Sequence, residues 1–356
     1  MPGAVQKGTY MAVKIFGIDF GTDSTKIYRK GQGVVYNQKS VIAFKKPKKT
    51  LAIGDEAFEM IGKTPESISV RTPLSHGVIS SFADMLTLLN CMFIDLTRVF
   101  GKFRGSVFYI AVPSDITEVE KKAFYDLVDS TIVRPKRIYL VEKPIADAIG
   151  TGIDIVRSQG TMIVNIGADT TEISIISLGG IMFSKLLPIG GNAFNEAIIS
   201  SVRRQYNLLI GNKTAETLKT DLVNFASVRD DSENAFGRDL VTGLPRECTV
   251  TTELVNNAVS EQMQTVFENI RIILDRTPPE IAADVYHNGI YVTGGSAALQ
   301  GLSFLFRTNL GDNKVNICDF GSMTVMNGIA KIIEDRYYDR YAVGLKEALA
   351  DDHFEI

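Results

Sequence analysis

One hairpin occurs twice in this chain, and the duplication limits the folds open to it. The stretches GIDFGTDSTKIYR, Gly17 to Arg29, and VNIGADTTEISII, Val164 to Ile176, each read as two short strands around a glycine turn. Laid one on the other, Asp19 falls on Asn165, Gly21 on Gly167, Asp23 on Asp169, Thr25 on Thr171 and Ile27 on Ile173. The elements downstream of each copy repeat as well. Periodicity predicts strands over 14–20, 24–29 and 33–37, then a helix with Phe82, Met85, Leu86, Leu89, Phe93 and Leu96 on one face. A strand at 106–112, a helix at 117–129, a strand at 136–141 and a helix from Pro144 complete the first half. The second half predicts strands at 160–166, 171–177 and 180–187 and a helix after Gly190-Gly191. A long helix to about Arg276, a strand at 288–293, a helix near 298–308, a strand at 314–318 and a last helix from about 321 come next. Each half is an α/β unit, a mixed sheet with helices on both faces. Two such units face to face would bring two matched glycine turns to opposite sides of one cleft.

The chain has 356 residues, 45% of them hydrophobic, enough for two domains with their own cores. Lys and Arg number 38 against 41 Asp and Glu, a net charge of −3, which predicts no nucleic-acid footprint. The densest basic run, Lys45 to Lys49 (KKPKK), reads as a soluble hairpin tip. Cys91, Cys248 and Cys318 are widely spaced within apolar patterns and are expected to be buried, reduced thiols of a cytosolic protein. With His76, His287 and His353 scattered, no zinc site is expected. No apolar run is long enough to span a membrane. Residues 1–10, MPGAVQKGTY, are expected to be a flexible lead or a non-native addition.

The turns carry the chemistry. A glycine between paired strands lets the backbone approach a ligand, so that neighbouring N–H groups face phosphate oxygens. Thr22, Ser24 and Thr25 add hydroxyls, and Asp19 at its strand end could order the water shell of Mg²⁺. In GIYVTGGSAALQGL, Gly294-Gly295 allow close approach and Ser296 is expected to cap the helix that follows. In TAETLK, Glu216 and Lys219 share one helical face, either to meet a ribose or adenine edge or as a solvated ion pair.

These stretches resemble MreB, the bacterial actin of rod-shape determination, and its Mbl-type paralogues. The resemblance runs through FGIDFGTDSTKIY, AVPSDITEVEKKA, TTEISIISLGGI, RRQYNLLIGNKTAE, GRDLVTGLP, TPPEIAADV and VTGGSAALQGL, from Phe16 to about Ile332. It implies an actin-like ATPase fold, two duplicated RNase H-like domains around an interdomain nucleotide cleft, each with an inserted subdomain. Domain I would comprise 11–151 and 321–356 with an insert at about 33–80, and domain II 152–320 with an insert at about 207–251. Carried over by position, ATP would be held by Asp19, Gly21, Thr22, Asp23, Ser24, Gly167, Ala168, Asp169, Glu216, Lys219, Gly294, Gly295, Ser296 and Ala297. Mg²⁺ would be held through Asp19 and water. The resemblance also implies paired filaments at the inner face of the cytoplasmic membrane, working with the peptidoglycan-synthesis machinery. Peripheral attachment in that family uses an amphipathic N-terminal helix or an apolar loop. Here the loop RVFGKFRGS offers Phe100 and Phe103 among Arg98, Lys102 and Arg104. In the alternative, Phe100 finishes the core face of the preceding helix and Phe103 packs under the next strand.

The chain departs from the family around the reacting centre. The second hairpin normally reads Asp-Ile-Gly-Gly-Gly-Thr; here it is Asn165-Ile166-Gly167-Ala168-Asp169-Thr170. Two glutamates normally precede the proline that opens the next helix. Here Glu142 is followed by Lys143, in the position that orients the attacking water. An ammonium cannot accept a proton from water, and Asn165 carries no charge to hold a hydrated cation. Lys143 and Asp169 could instead pair across the cleft. A filament protein that binds ATP and hydrolyses it weakly or not at all is the expectation. The alternative is a nucleotide-independent pseudo-ATPase that co-assembles with an active paralogue and regulates it. A sugar or acetate kinase of the same superfamily is disfavoured, because no base for a substrate hydroxyl stands near the cleft.

Overall fold

The computed structural model describes residues 13–47, 49–156, 159–226, 231–311 and 313–349. The expected lead at 1–10 lies outside them, as do Lys48 and His353. The first hairpin forms β1 (Ile15–Phe20) and β2 (Ser24–Arg29), followed by β3 (Gly33–Lys39). After helix α1 (Phe82–Phe100) come β4 (Val107–Val112), α2 (Glu118–Asp129), β5 (Arg137–Glu142) and α3 (Lys143–Thr151). The second half begins with β6 (Thr161–Ile166), β7 (Thr171–Ser177) and β8 (Gly180–Leu187), then α4 (Gly191–Tyr206), α5 (Asn212–Leu222) and α6 (Thr252–Arg276). It closes with β9 (Ile290–Thr293), α7 (Leu302–Leu310), β10 (Val315–Ile317) and α8 (Thr324–Glu334).

The two main sheets have the same strand order, β3-β2-β1-β4-β5 and β8-β7-β6-β9-β10. In each, the hairpin strands pair antiparallel and the later strands parallel to the first. Strands β2 and β7 are enclosed on both faces along most of their length, Ile27 and Ile173 completely. Two small sheets sit outside this frame. One holds Ile42–Lys45, Lys49–Ile53 and Ile68–Arg71, and the other Leu208–Leu209, Ser232–Asp239 and Pro245–Thr251. Lys45 and Lys49 of the basic run pair antiparallel at the ends of the first two of these strands.

Each half has its own apolar core, and a third lies between the sheets. That third core packs Ala111 and Val141 of the first sheet and Ile163 and Ile176 of the second around α3 and α8. The two helices cross almost backbone to backbone. A Cβ on Gly328 would stand 1.8 Å from the Ala146 carbonyl oxygen, and one on Gly150 2.0 Å from that of Thr324. Glycine at both positions is what lets the helices approach so closely.

Three expectations need correction here. Phe82 is exposed, and the buried face of α1 is carried by Met85, Leu88, Leu89, Met92, Phe93 and Leu96. Phe103 is not a surface anchor: it is 2% exposed, edge-on to Phe16 at 4.8 Å and to Phe93 at 6.3 Å. Phe100 is half-buried against the same core, with the Arg29 guanidinium 5.0 Å over its ring. The alternation of aromatic and basic residues therefore reflects packing beneath β1 and β4, and Arg98, Val99, Lys102 and Arg104 are the side chains of this loop that face outward. Of the cysteines, all free, Cys248 is buried while Cys91 and Cys318 are half-buried.

Candidate functional site

The matched turns converge on a cleft of about 470 Å³ between the two halves. Asp19, Gly21, Thr22, Asp23 and Ser24 line it from the first hairpin, and Asn165, Gly167 and Ala168 from the second. Glu216 and Lys219 of α5, Gly294, Gly295 and Ser296 of the third turn, and Lys143 complete that set. Glu142, Asp169 and Ala297 do not line the cleft, nor do Phe100 and Phe103.

Local chemistry shapes each wall. In the first hairpin Gly21 N–H donates to Ser24 O at 3.2 Å, and the Ser40 hydroxyl donates to Gly21 O at 2.6 Å. Ser40, which the sequence did not single out, also meets Thr25 Oγ1 at 2.9 Å and so ties β3 to the turn. In the second hairpin Gly167 N–H donates to Thr170 O at 2.8 Å. The first amides of α4 are spent on it, Gly191 to Gly167 O at 3.0 Å and Asn192 to Ala168 O at 2.7 Å. Gly294 takes φ +91, and a side chain there would strike Ile166 O at 2.3 Å. Ser296 does not cap a helix. It lies in a 3₁₀ turn, Gly295–Ala298, with its hydroxyl 3.4 Å from Gly167 O, and α7 begins only at Leu302. The Glu216–Lys219 pair meets at 2.7 Å with the lysine buried, and Lys219 Nζ donates to Gly191 O at 3.1 Å.

The floor differs most from expectation. Lys143 does not pair with Asp169; its ammonium lies 3.1 Å from Asp19 Oδ1 and donates to Phe20 O at 3.2 Å. The contact with Asp19 is an ion pair set off the line of a well-directed hydrogen bond. Lys26, directly across the strand pair from Asp19, approaches its other oxygen at 3.7 Å. Burial would raise the Asp19 carboxyl, but the two ammonium groups outweigh it and hold the group below its ordinary value. Asp169 turns away, taking a bond from Asn192 Nδ2 at 2.6 Å and one from the His76 N–H at 3.2 Å. Its carboxylate therefore bridges the halves rather than facing a phosphate.

On the opposite wall Asn165 donates through Nδ2 to Asp147 Oδ2 at 2.6 Å. Asp147 is 1% exposed, and its Oδ1 has no partner. Burial pushes its carboxyl well above the ordinary value; the Asn165 bond opposes this, while nearby Glu172 and Asp19 add to it. Glu172 lines the cleft opposite Asn165 in the β6–β7 register. It is also raised by burial, less so because Ser114 donates to it from N–H at 2.8 Å and hydroxyl at 2.7 Å. Lys26 and Glu172 occupy the same place in the two copies of the hairpin, and Lys143 and Asp147 stand four apart on α3. Those spacings were the sequence signal for a polar floor.

A carboxylic acid raised in the folded state favours folding at low pH and loses that contribution as pH climbs. The loss at Asp147 starts above the unfolded value, about 4, and runs up to its folded value. The Asp147→Asn variant is therefore expected to gain on the unsubstituted protein in melting temperature as pH rises from 5 to 8. The gain approaches 1.4 kcal/mol per pH unit while the two forms differ by one proton. Parallel pH profiles would show that Asp147 ionises freely in the fold.

A Mg²⁺ ion held through Asp19 does not fit these residues. The only carboxylate at that strand end already faces two ammonium groups, and its counterpart in the second hairpin is an amide bonded elsewhere. Lys213 at the start of α5 donates to Glu59 of the first half at 2.9 Å, a polar contact between the halves.

Comparison with known proteins gives a consistent picture. A family model described as MreB/Mbl protein matches residues 13–340. Cell shape-determining protein Mbl of Bacillus subtilis (strain 168) is 36% identical over 330 residues, 90% of this chain and 98% of that protein. Cell shape-determining protein MreB of Escherichia coli (strain K12) is 36% identical over 301 residues, 83% of this chain and 86% of that one. The crystal structure of MreB 5 of Spiroplasma citri bound to AMPPNP superposes with a TM-score of 0.87 at 31% identity, covering 93% of this chain and 98% of that one. A structure of MreB5 from the same organism bound to ADP gives a TM-score of 0.86 at 31% identity over 92% and 98%. The duplicated α/β architecture is thus the actin-like fold.

Proposed function

Because the chain belongs to the MreB/Mbl family of cell shape-determining proteins, we propose that it is a cytoskeletal subunit whose cleft binds ATP or ADP and hydrolyses ATP weakly or not at all. The observation that carries this reading is the convergence of three glycine turns on a cleft whose water-orienting position holds an ammonium paired with Asp19. AMPPNP and ADP in the Spiroplasma MreB5 structures support a nucleotide as the occupant. Lys143 offers no lone pair to activate water, and Glu142 beside it does not line the cleft.

Calorimetric titration of the whole chain with ATP and with ADP is expected to give saturable binding to both. Gly294→Val, which drives a side chain into Ile166 O, should abolish it. Binding unaltered in that variant would place the nucleotide elsewhere. A second reading, a nucleotide-independent subunit that co-assembles with an active relative, draws on the same ion pair, since Lys143 and Asp19 satisfy each other without a ligand. Lack of heat with either nucleotide would favour it.

The protein is further proposed to assemble with itself or a paralogue into filaments at the inner face of the cytoplasmic membrane, where they guide peptidoglycan synthesis. Among the described residues no helix is long and apolar enough to cross a membrane, so attachment would be peripheral. Exposed Val99 with Arg98, Lys102 and Arg104 suits an anionic surface. One loop contributes about 1 kcal/mol per basic residue, so attachment would rest on many subunits in one filament. Lys102→Glu with Arg104→Glu should release filaments from sedimenting anionic vesicles. Undiminished co-sedimentation would exclude this loop.

A further inference from the structure

We infer that the cleft grips the phosphate chain of a nucleoside di- or triphosphate with its own ammonium groups and needs no divalent cation to do so. This rests on the nucleotide reading above and adds the ionic form of the ligand. The charges at the floor carry it. Asp19, at the end of β1, is 5% exposed and has Lys143 and Lys26 on its two oxygens at 3.1 and 3.7 Å. Both lysines line the cleft, so one negative charge is set against two positive ones between the glycine hairpins.

The other acids of the cleft do not reverse that surplus. Asp23 is engaged by Lys39 at 2.6 Å and Glu216 by Lys219 at 2.7 Å. Glu172 is engaged by Ser114, accepting from its N–H at 2.8 Å and its hydroxyl at 2.7 Å. Asn165 presents an amide where a second carboxylate would be needed, and its nitrogen is bound to Asp147 at 2.6 Å. Mg²⁺ is held by one or two carboxylates together with phosphate oxygens and keeps several waters. Here Asp19, the carboxylate at the end of β1, is faced by fixed cations that would repel the metal. The same cations are well placed for an uncomplexed polyphosphate, because an ammonium offers three donors to phosphate oxygens. Lys143 Nζ already donates to Phe20 O and Lys26 Nζ to Ser24 Oγ at 3.1 Å, which holds both heads at the floor.

The test is a calorimetric titration of the whole chain with ATP in two buffers, one containing EDTA and the other excess Mg²⁺. Affinity in EDTA is expected to equal or exceed that in Mg²⁺. Lys143→Met should weaken binding in EDTA about tenfold to a hundredfold, the size expected for one charge-assisted hydrogen bond. Lys26→Met, read beside it with both melting temperatures, guards against a fold defect in either variant. Lys143→Glu should make binding depend on Mg²⁺. Binding seen only in Mg²⁺ would overturn the inference and leave the nucleotide reading standing. Heat in neither buffer would overturn both. An unchanged EDTA affinity in Lys143→Met and Lys26→Met alike would show that these lysines do not grip the phosphates.

Discussion

Replacing Lys143 by Glu, Asp147 by Ala and Asn165 by Asp in one chain is expected to raise ATP turnover by about 10²–10⁴ over the unsubstituted protein, the range of a positioned general base. The geometry explains why three changes are needed. Glu at 143 would supply a lone pair where an ammonium now stands, and Asp at 165 would restore the acid of the second hairpin. Position 165, however, lies 2.6 Å from the buried Asp147 carboxyl. Two carboxyls at that distance share a proton rather than both ionise, so Lys143→Glu with Asn165→Asp alone should fall well short. Phosphate release measured for the unsubstituted, double and triple proteins decides the matter. A double variant as fast as the triple would show that Asp147 does not hold position 165 neutral. An unsubstituted protein as fast as the triple would remove the case for an impaired site.

Gly328→Ala is expected to destabilise the protein by about 3 kcal/mol, the upper part of the usual overpacking range, because the obstacle is backbone. The sign is the informative part. In an exposed helix Gly→Ala is favourable by about 0.8–1.0 kcal/mol. Here the new methyl would meet the Ala146 carbonyl at 1.8 Å, and neither a rotamer change nor a flexible side chain can relieve it. With about 2.1 cal/mol/K of unfolding entropy per residue, 1 kcal/mol shifts the midpoint of a 356-residue chain by about 1.3 °C, so the melting temperature should fall by roughly 4 °C. A rise would mean that α3 and α8 separate freely in solution.

Much of the fold was legible because the signal was local and repeated. The duplicated hairpin, the helix start at Pro144 and the glycine pair at Gly294-Gly295 each depend on a few neighbouring residues. The features that escaped depend on contacts between distant segments. Phe103 looked like one of a set of exposed rings because its enclosure comes from Phe16 and Phe93, on a strand and a helix that its own neighbours do not reveal. Lys143 was open to pairing with Asp169, since both flank the cleft in sequence terms. In space Lys143 reaches back to Asp19, and Asp169 is taken by Asn192 and the His76 amide. Lys26, Asp147 and Glu172 were hidden within strand and helix patterns, where a charged residue ordinarily faces solvent.

The close crossing of α3 and α8 also decides what the polar floor is mounted on. Gly150 and Gly328 let the two backbones touch, side chains of both helices share the core between the sheets, and Lys331 Nζ of α8 donates to Ile149 O of α3 at 2.8 Å. Helices joined in these three ways form a single beam rather than two sliding parts. Lys143 and Asp147 sit on that beam within two turns of Gly150, so the spacing between their heads is set by backbone contact and not by the loops that rim the cleft.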